Sequence, residues 1–246
     1  PQIAQEYVRR DSRVRHIRHP KNIGAANNYN EAVRLARGRY FRWGAADDRV
    51  APTSLARCLA ILEADPDVAI AYPKTLLIDA DGQPIRAYED NLHCEDPDPV
   101  ARLNHVLNHI GYCNALYGLM RTEAVRRTAQ MGSFPGSDIP FHAEMALHGK
   151  IIEVPEHLFF RRMHEEASSS MTPEQREAFY RPTSRRAVKA VVWRNFGVLF
   201  GATVRAPLPF QTRLRLAGHL LRRMAWVRDS LWRELRFAFP DTRDRR

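Results

Sequence analysis

The sequence predicts an α/β protein, a mostly parallel sheet flanked by helices, followed by a basic helical region. Three observations carry this. Helix-like and strand-like segments alternate across residues 1–163, the pattern of βα units. From Thr172 onward only helical periodicity remains. Of 246 residues, 44% are hydrophobic and 27% charged, which excludes a wholly disordered or fibrous chain. A chain of this length buries roughly 70% of its unfolded surface, so it can fold on a core without staples. Cys58, Cys94 and Cys113 are odd in number and far apart. That spacing argues against a disulfide scaffold or zinc ribbon and favours a reducing compartment.

The elements follow in order. Ile3, Tyr7 and Val8 share one side of a short helix ending near Asp11. Residues 14–18 (VRHIR) alternate like a strand, and 19–24 (HPKNIG) form a loop marked by Pro20 and Gly24. Helical spacing returns through Ala26, Tyr29, Val33 and Ala36, with Gly38 as its stop. Tyr40-Phe41-Arg42-Trp43 reads as a strand running into Gly44-Ala45-Ala46-Asp47-Asp48. Pro52 suits the first turn of the next helix (SLARCLAILEAD), and Pro66 follows its end. Residues 68–72 and 75–78 are strand-like, and 79–82 (DADG) form a turn. Residues 84–98 read as a polar loop and 99–109 as a helix. A buried strand (ALYGLM, 115–120), a helix capped by Thr122, a helix over 139–148 and strands over 150–154 and 158–163 complete the alternation.

Charge divides the chain. The net charge is +10, and the sequence pI is about 10.0. Residues 1–172 carry 21 Lys/Arg against 22 Asp/Glu, whereas 173–246 carry 17 against 6. The expected organisation is a neutral, enzyme-like domain over 1–172 and a basic helical extension over 173–246. Within the extension Leu216, Leu220, Met224, Val227, Leu231 and Leu235 recur at three or four residues. Trp226, Trp232 and many arginines, among them Arg213, Arg215, Arg222, Arg223, Arg228, Arg233 and Arg236, fill the rest. Such a helix fits an anionic membrane surface; equally, its stripe could pack back onto the domain. No secretory h-region is visible. The most apolar stretch, 190–204, is broken by Arg194 and Asn195 and falls short of ~18 clean apolar residues. A cytoplasmic protein is expected, with a peripheral position at the inner face of the cell membrane as the refinement. The chain opens on Pro1 inside a helix-like segment, so a piece of a longer protein is expected, inactive by itself.

Four short motifs could carry chemistry. Asp47 and Asp48 follow a strand end, where open α/β sheets bind ligands. Paired carboxylates suit a hard cation that keeps phosphates in its shell; a helix-capping turn explains them equally simply. Asn22-Ile23-Gly24-Ala25-Ala26-Asn27-Asn28 offers a close backbone approach and helix N–H groups for an anion, or only a loop and cap. Gly136-Ser137-Asp138 opens a helix carrying Glu144; Asp138 could be a general base or an N-terminal cap. Arg161-Arg162-Met163-His164 could hold a diphosphate and ligate a metal, or face solvent. No G-x-S-x-G, GxxxxGK[ST] or HExxH pattern occurs. His105 and His109 lack an evident third ligand, and Cys113 is a poor candidate nucleophile.

Taken in order, these motifs resemble glycosyltransferase family 2, inverting sugar-nucleotide enzymes of GT-A fold. The matching text is VRHIRHPKNIGAANNYNEAVRLARGRYFRWGAADD, TSLARCLAILEADPDVAIAYPKTLLIDADG, NALYGLMRTEAVRR and GSDIPFHAEMALHGKIIEVPEHLFFRRMH, covering about residues 1–170. The resemblance implies a GT-A-like, Rossmann-like domain that lacks its first strand-helix-strand unit. It implies a nucleotide-sugar donor, a divalent Mn²⁺ or Mg²⁺, and a glycan or lipid-linked acceptor in polysaccharide or glycoconjugate synthesis. Asp48 and His164 would be metal ligands, and Asp138 the catalytic base. Asn22, Gly24, Asn27, Asn28, Asp47, Arg161 and Arg162 would line the donor side. Ala45 and Ala46 stand where an earlier acid is often found, which keeps a non-catalytic nucleotide-sugar binder as the alternative. A nucleic-acid binder is the remote alternative: the basic residues share a helix with an apolar stripe, no RRM, KH or zinc-finger pattern occurs, and no nucleic-acid partner is expected.

Overall fold

The fold is organised by two long strands lying side by side in parallel. The structure, a computed structural model, describes residues 2–165, 167, 170–180, 182 and 190–238. Helices α1 (Gln2–Arg10) and α2 (Ala25–Leu35) precede short strands β1 (Tyr40–Phe41) and β2 (Arg49–Val50). Helix α3 (Ser54–Ala64) leads into β3 (Val68–Ile78), which turns back into β4 (Pro84–Tyr88). Then come α4 (Pro99–His109), a 3-10 turn (Asn114–Tyr117), β5 (Leu119–Arg121), α5 (Thr122–Arg127), α6 (Asp138–His148) and β6 (Lys150–Arg162). Four helices close the described chain: α7 (Pro173–Tyr180), α8 (Val191–Arg205), α9 (Phe210–Trp226) and α10 (Arg228–Ala238).

The sheet order is β1-β5-β3-β6-β2, with β4 paired to β3. The α/β class is as predicted, but the sheet is mixed. Among the described residues only β3 and β6 pair in parallel; the other pairings are antiparallel. The two strand-like segments at 68–72 and 75–78 are one strand, because Pro73 is accommodated where the register against β6 shifts. The same merging makes β6 from the segments predicted at 150–154 and 158–163. Residues 14–18 form no strand, as no described strand flanks β1 opposite β5 to give them a ladder.

The expected polar loop over 84–98 is a hairpin strand followed by a buried strap. Asp90, Leu92 and Cys94 are all inside, and Cys94 bridges to Ile151. Asp90 tolerates burial because the Thr75 hydroxyl and the Asn114 amide both donate to it, at 2.8 and 3.3 Å. Thr122 begins α5 rather than capping it; its hydroxyl donates to the Gly38 carbonyl.

One core serves both predicted halves of the chain. Val33, Tyr72, Leu103 and Met145 pack in the same cluster as Phe196, Leu199, Ala202, Leu216, Leu220 and Leu231. Helix α6 is buried from Pro140 to Leu147, as a helix covered on every side must be. Its Glu144 is fully buried and pairs with Arg205 of α8 at 2.8 Å. The apolar stripe of the basic extension therefore packs on the domain at Leu216, Leu220 and Leu231, while Val227 stays exposed. Residues 239–246, the end of the basic extension, lie outside the described residues. No helix among the described residues is long and apolar enough to cross a membrane.

Candidate active site

Strand β2 pairs with the far end of β6, Arg49 opposite Phe160. This register holds the two residues before β2 against the four that follow Phe160. Asp48 accepts a hydrogen bond from the Arg162 backbone N–H at 2.9 Å, and the Arg162 guanidinium donates to the Asp47 carbonyl at 2.9 Å. His164 Nε2 donates to the Asp47 carboxylate at 3.0 Å. The fold thus brings Asp47, Asp48, Arg162 and His164 to one place, although more than a hundred residues separate the acids from the bases.

The two acids differ in environment. Burial raises the Asp48 carboxyl and outweighs the hydrogen bond from Arg162; the Asp47 charge raises it further, and the arginine charges oppose. Burial also raises Asp47, but the His164 hydrogen bond, a backbone hydrogen bond and the charges of His164 and Arg161 outweigh it and leave that carboxyl below its ordinary range.

Asp138 opens α6, with Ser137 at its N-cap. It shares a cavity of about 320 Å³ with Tyr112, Cys113, Arg161, Arg176 and Tyr180. Asp47 lines another, of about 530 Å³, with Asn28, Tyr29, Arg42, Tyr117 and Phe179. A narrow cavity of about 90 Å³ joins the two sides: it is lined by Tyr29, Tyr117, Asp138, Arg161 and Phe179. The Tyr29 hydroxyl, raised in pKa chiefly by burial, also feels the charges of Asp138, Asp48 and Asp47, so it stands between the two acidic ends.

Adjacent residues of β6 divide the labour. Arg161 reaches toward Asp138, donating to the Tyr112 carbonyl at 3.0 Å and the Asn114 side chain at 2.7 Å, with its guanidinium 4.7 Å from the Tyr112 ring centre. Arg162 points the other way and spends its second arm on the carbonyl of Asp79. The donor-side loop is partly self-contained. Asn22 accepts from the Gly24 N–H, and Asn27 donates to the Ile23 carbonyl. Gly24, at φ 81°, lies under α7: a Cβ there would stand 2.5 Å from the Tyr180 carbonyl oxygen. Of this loop Ala26 and Asn28 line the groove.

Sequence reading did not single out Tyr29, Tyr117, Arg42, Asn114, Asp90 or Phe179. Tyr29 and Tyr117 looked like core residues of a helix and a strand, yet their hydroxyls meet at 3.4 Å in the groove. Burial raises the Tyr117 hydroxyl far above its usual range. Cys113, buried at φ 59°, rests beside Asp138; burial first and that carboxylate next raise its thiol, so it is a poor nucleophile.

A divalent cation fits the donor chemistry in part. Asp47 and Asp48 supply hard oxygen atoms, which suit Mg²⁺ or Mn²⁺ completed by substrate phosphates. Among the described residues no three His, Cys, Asp or Glu form a ready cage. In this arrangement His164 Nε2 is occupied as a donor to Asp47.

Residues 1–122 match the family model for glycosyl transferase family 2. An uncharacterized glycosyltransferase of Methanocaldococcus jannaschii is 28% identical over 88 residues, which cover 36% of this chain and 30% of that protein. The crystal structure of S. aureus TarS 1-349 superposes on 91% of this chain and 58% of its own length, with a TM-score of 0.51 and 14% identity, a likeness of fold. The chain thus spans less than two thirds of the length of either protein. With the matched family model lying over the strand-acid junction, residues 1–122 of the chain form a domain of glycosyltransferase family 2.

Proposed function

We propose that this chain carries the catalytic groove of an inverting glycosyltransferase, which moves a sugar from a nucleotide-sugar to a hydroxyl of a glycan or lipid-linked acceptor in polysaccharide or glycoconjugate synthesis. The observation that carries the reading is the groove with Asp47 at one end, Asp48 beside it against the Arg162 backbone, and Asp138 at the other end. The donor diphosphate lies toward Asp47 and Asp48, and the acceptor toward Tyr112 and Tyr180. Asp138 takes the proton of the acceptor hydroxyl. That oxygen forms its bond to the anomeric carbon from the face opposite the diphosphate, whose bond to the carbon breaks with the electron pair leaving on phosphate oxygen. Arg161, fixed by Asn114 and Tyr112, balances negative charge between the two ends.

Asp47 and Asp48 would hold a Mn²⁺ or Mg²⁺, with His164 orienting Asp47. When bound, the cation supplies charge neutralisation for the departing diphosphate. We place the enzyme in the cytoplasm, peripheral at an anionic membrane, and take the division near residue 172 as separating the donor-handling part from the helices that buttress it. The second reading, a nucleotide-sugar binder without transfer, is favoured by Ala45 and Ala46 in the acid motif.

The test uses the whole protein that carries this chain, with a panel of nucleoside-diphosphate sugars and Mn²⁺ or Mg²⁺. Asp138→Asn is expected to keep donor binding by calorimetry and lose ~10²–10⁴ in turnover, the scale of a general base. Asp48→Ala is expected to abolish metal-dependent transfer with the melting temperature retained. Full turnover in either variant overturns the assignment. Donor binding by wild type with no turnover on any acceptor selects the second reading.

A further inference from the structure

We infer that the outer face of α9 and α10 is a docking surface for an anionic phospholipid bilayer. The inference gives an address to the peripheral placement proposed above, and rests on that placement; it uses no residue of the groove.

The apolar positions of α9 form two separate faces. Leu216 and Leu220 are fully buried against the domain, so they cannot meet lipid. Phe210, Leu214 and Leu221 recur at four and seven residues, one side of a helix at 3.6 residues per turn. They are not covered: together with Trp226 and Trp232 they are 58–74% exposed. Phe210, Leu214 and Leu221 thus form an exposed apolar row along α9, with Trp226 exposed at the end of that helix and Trp232 exposed on α10.

Charge identifies the occupant. Arg215 and Arg222 lie about a quarter turn around from Leu214 and Leu221, and both line a groove of about 580 Å³ between α4 and α9. Arg215 is shared with Asp98 at 2.5 Å. On α10, Arg228, Trp232 and Arg236 repeat at four residues, so a tryptophan stands between two guanidinium groups on one face. Trp232, Arg233 and Arg236, with Asp229, line a further hollow of about 880 Å³. Apolar side chains flanked by arginines, with tryptophan at the border, match the layered chemistry of an interface: acyl chain inside, headgroup phosphate outside. Guanidinium groups suit phosphodiester oxygens. A polyanion such as nucleic acid would use the arginines but give the exposed Phe210, Leu214 and Leu221 nothing to bury them.

The experiment sediments the whole protein with vesicles of phosphatidylglycerol and phosphatidylcholine, or of phosphatidylcholine alone, at low and high salt. Binding is expected to the first only, and to fall as salt rises. Arg222→Gln/Arg233→Gln/Arg236→Gln is expected to lower partitioning by tenfold or more, from about one power of ten for each one or two basic residues lost. Leu214→Gln/Leu221→Gln is expected to lower it by about as much. All five sites are exposed, so melting temperature should hold in both variants. Brominated lipid should quench wild-type fluorescence, and less so Trp226→Phe/Trp232→Phe. Failure to bind phosphatidylglycerol, binding unchanged in both multiple variants, binding to a DNA duplex in place of vesicles, or a dimer that buries the same residues would each overturn the inference. None of these outcomes touches the Asp138 assignment, which turnover decides separately.

Discussion

Replacing Arg205 by methionine asks whether the C-terminal helices are an appendage or part of the cooperative fold. Glu144 lies in the middle of α6 with no exposed side-chain area. It accepts two hydrogen bonds from Arg205, at 2.8 and 3.0 Å, and one from the Ala129 N–H at 3.0 Å. The substitution leaves a buried carboxylate with one backbone donor. Breaking a buried pair by removing one member costs ~3–5 kcal/mol. The Arg205 side chain is 35% exposed, so water compensates in part, and about 2–4 kcal/mol is the fitting range here. In a domain of this size each kcal/mol moves the midpoint by ~2–4 °C, giving a fall of about 5–15 °C. The assay is thermal unfolding followed by circular dichroism and by tryptophan fluorescence, since Trp193 reports on α8. Both probes should fall together. A companion Arg205→Met/Glu144→Leu should recover part of the loss, because no charge is then left buried. A midpoint within about 2 °C of wild type, or a separate early transition at Trp193 alone, would refute the reasoning and make α8 a detachable element.

The remaining predictions concern single groups. Burial, against hydrogen bonds from Thr75 and Asn114, raises Asp90 to about 6. A raised carboxyl favours the folded state while protonated, so this contribution is full below about pH 4 and is lost as pH rises to about 6. Asp90→Asn should remove that slope and gain about 1–3 kcal/mol at pH 8 relative to pH 4, read from urea midpoints; an unchanged slope would count against it. Asp47 is held low against burial by His164, so its contribution exists above its unfolded pKa and is lost as pH falls through the folded value. His164→Gln should raise the Asp47 pKa in a carboxyl carbon titration, and an unmoved value would show that His164 does not control it. Gly24→Ala adds a Cβ at positive φ against the Tyr180 carbonyl and should cost ~1–3 kcal/mol. A urea midpoint equal to wild type would show that α7 yields freely.

Local periodicity made the helices legible, and the two principal strands only in pieces, because Pro73-Lys74 interrupts the apolar run of the largely buried β3. It failed where pairing partners decide. Residues 14–18 alternate correctly but find no described ladder, so alternation alone did not make a strand. Residues 84–98 looked solvated because they carry acids, yet Asp90 is drawn inside by two side chains far away in sequence. A polar residue reports its preference for water only when no partner awaits it; Thr75 and Asn114 overrule composition.

The site divides along the same line. Asp47, Asp48 and Asp138 were legible because each stands at a strand or helix end, where topology sends ligands. The convergence of Asp47 and Asp48 with Arg162 and His164 depends on β2 pairing with β6, which no local spacing encodes. The tyrosines were illegible for a different reason. Tyr29 occupies an ordinary helical core position, and Tyr117 an ordinary apolar run, so both read as packing residues. In the fold they do pack, but their rings end at the groove, where an aromatic side chain can serve the core with its body and the site with its hydroxyl. Periodicity locates the ring and is silent about the oxygen. The residues between the two acidic ends of the groove were therefore the ones sequence reasoning was bound to miss, and Tyr29, whose hydroxyl feels all three carboxylates, is where the packing and the chemistry of this fold meet.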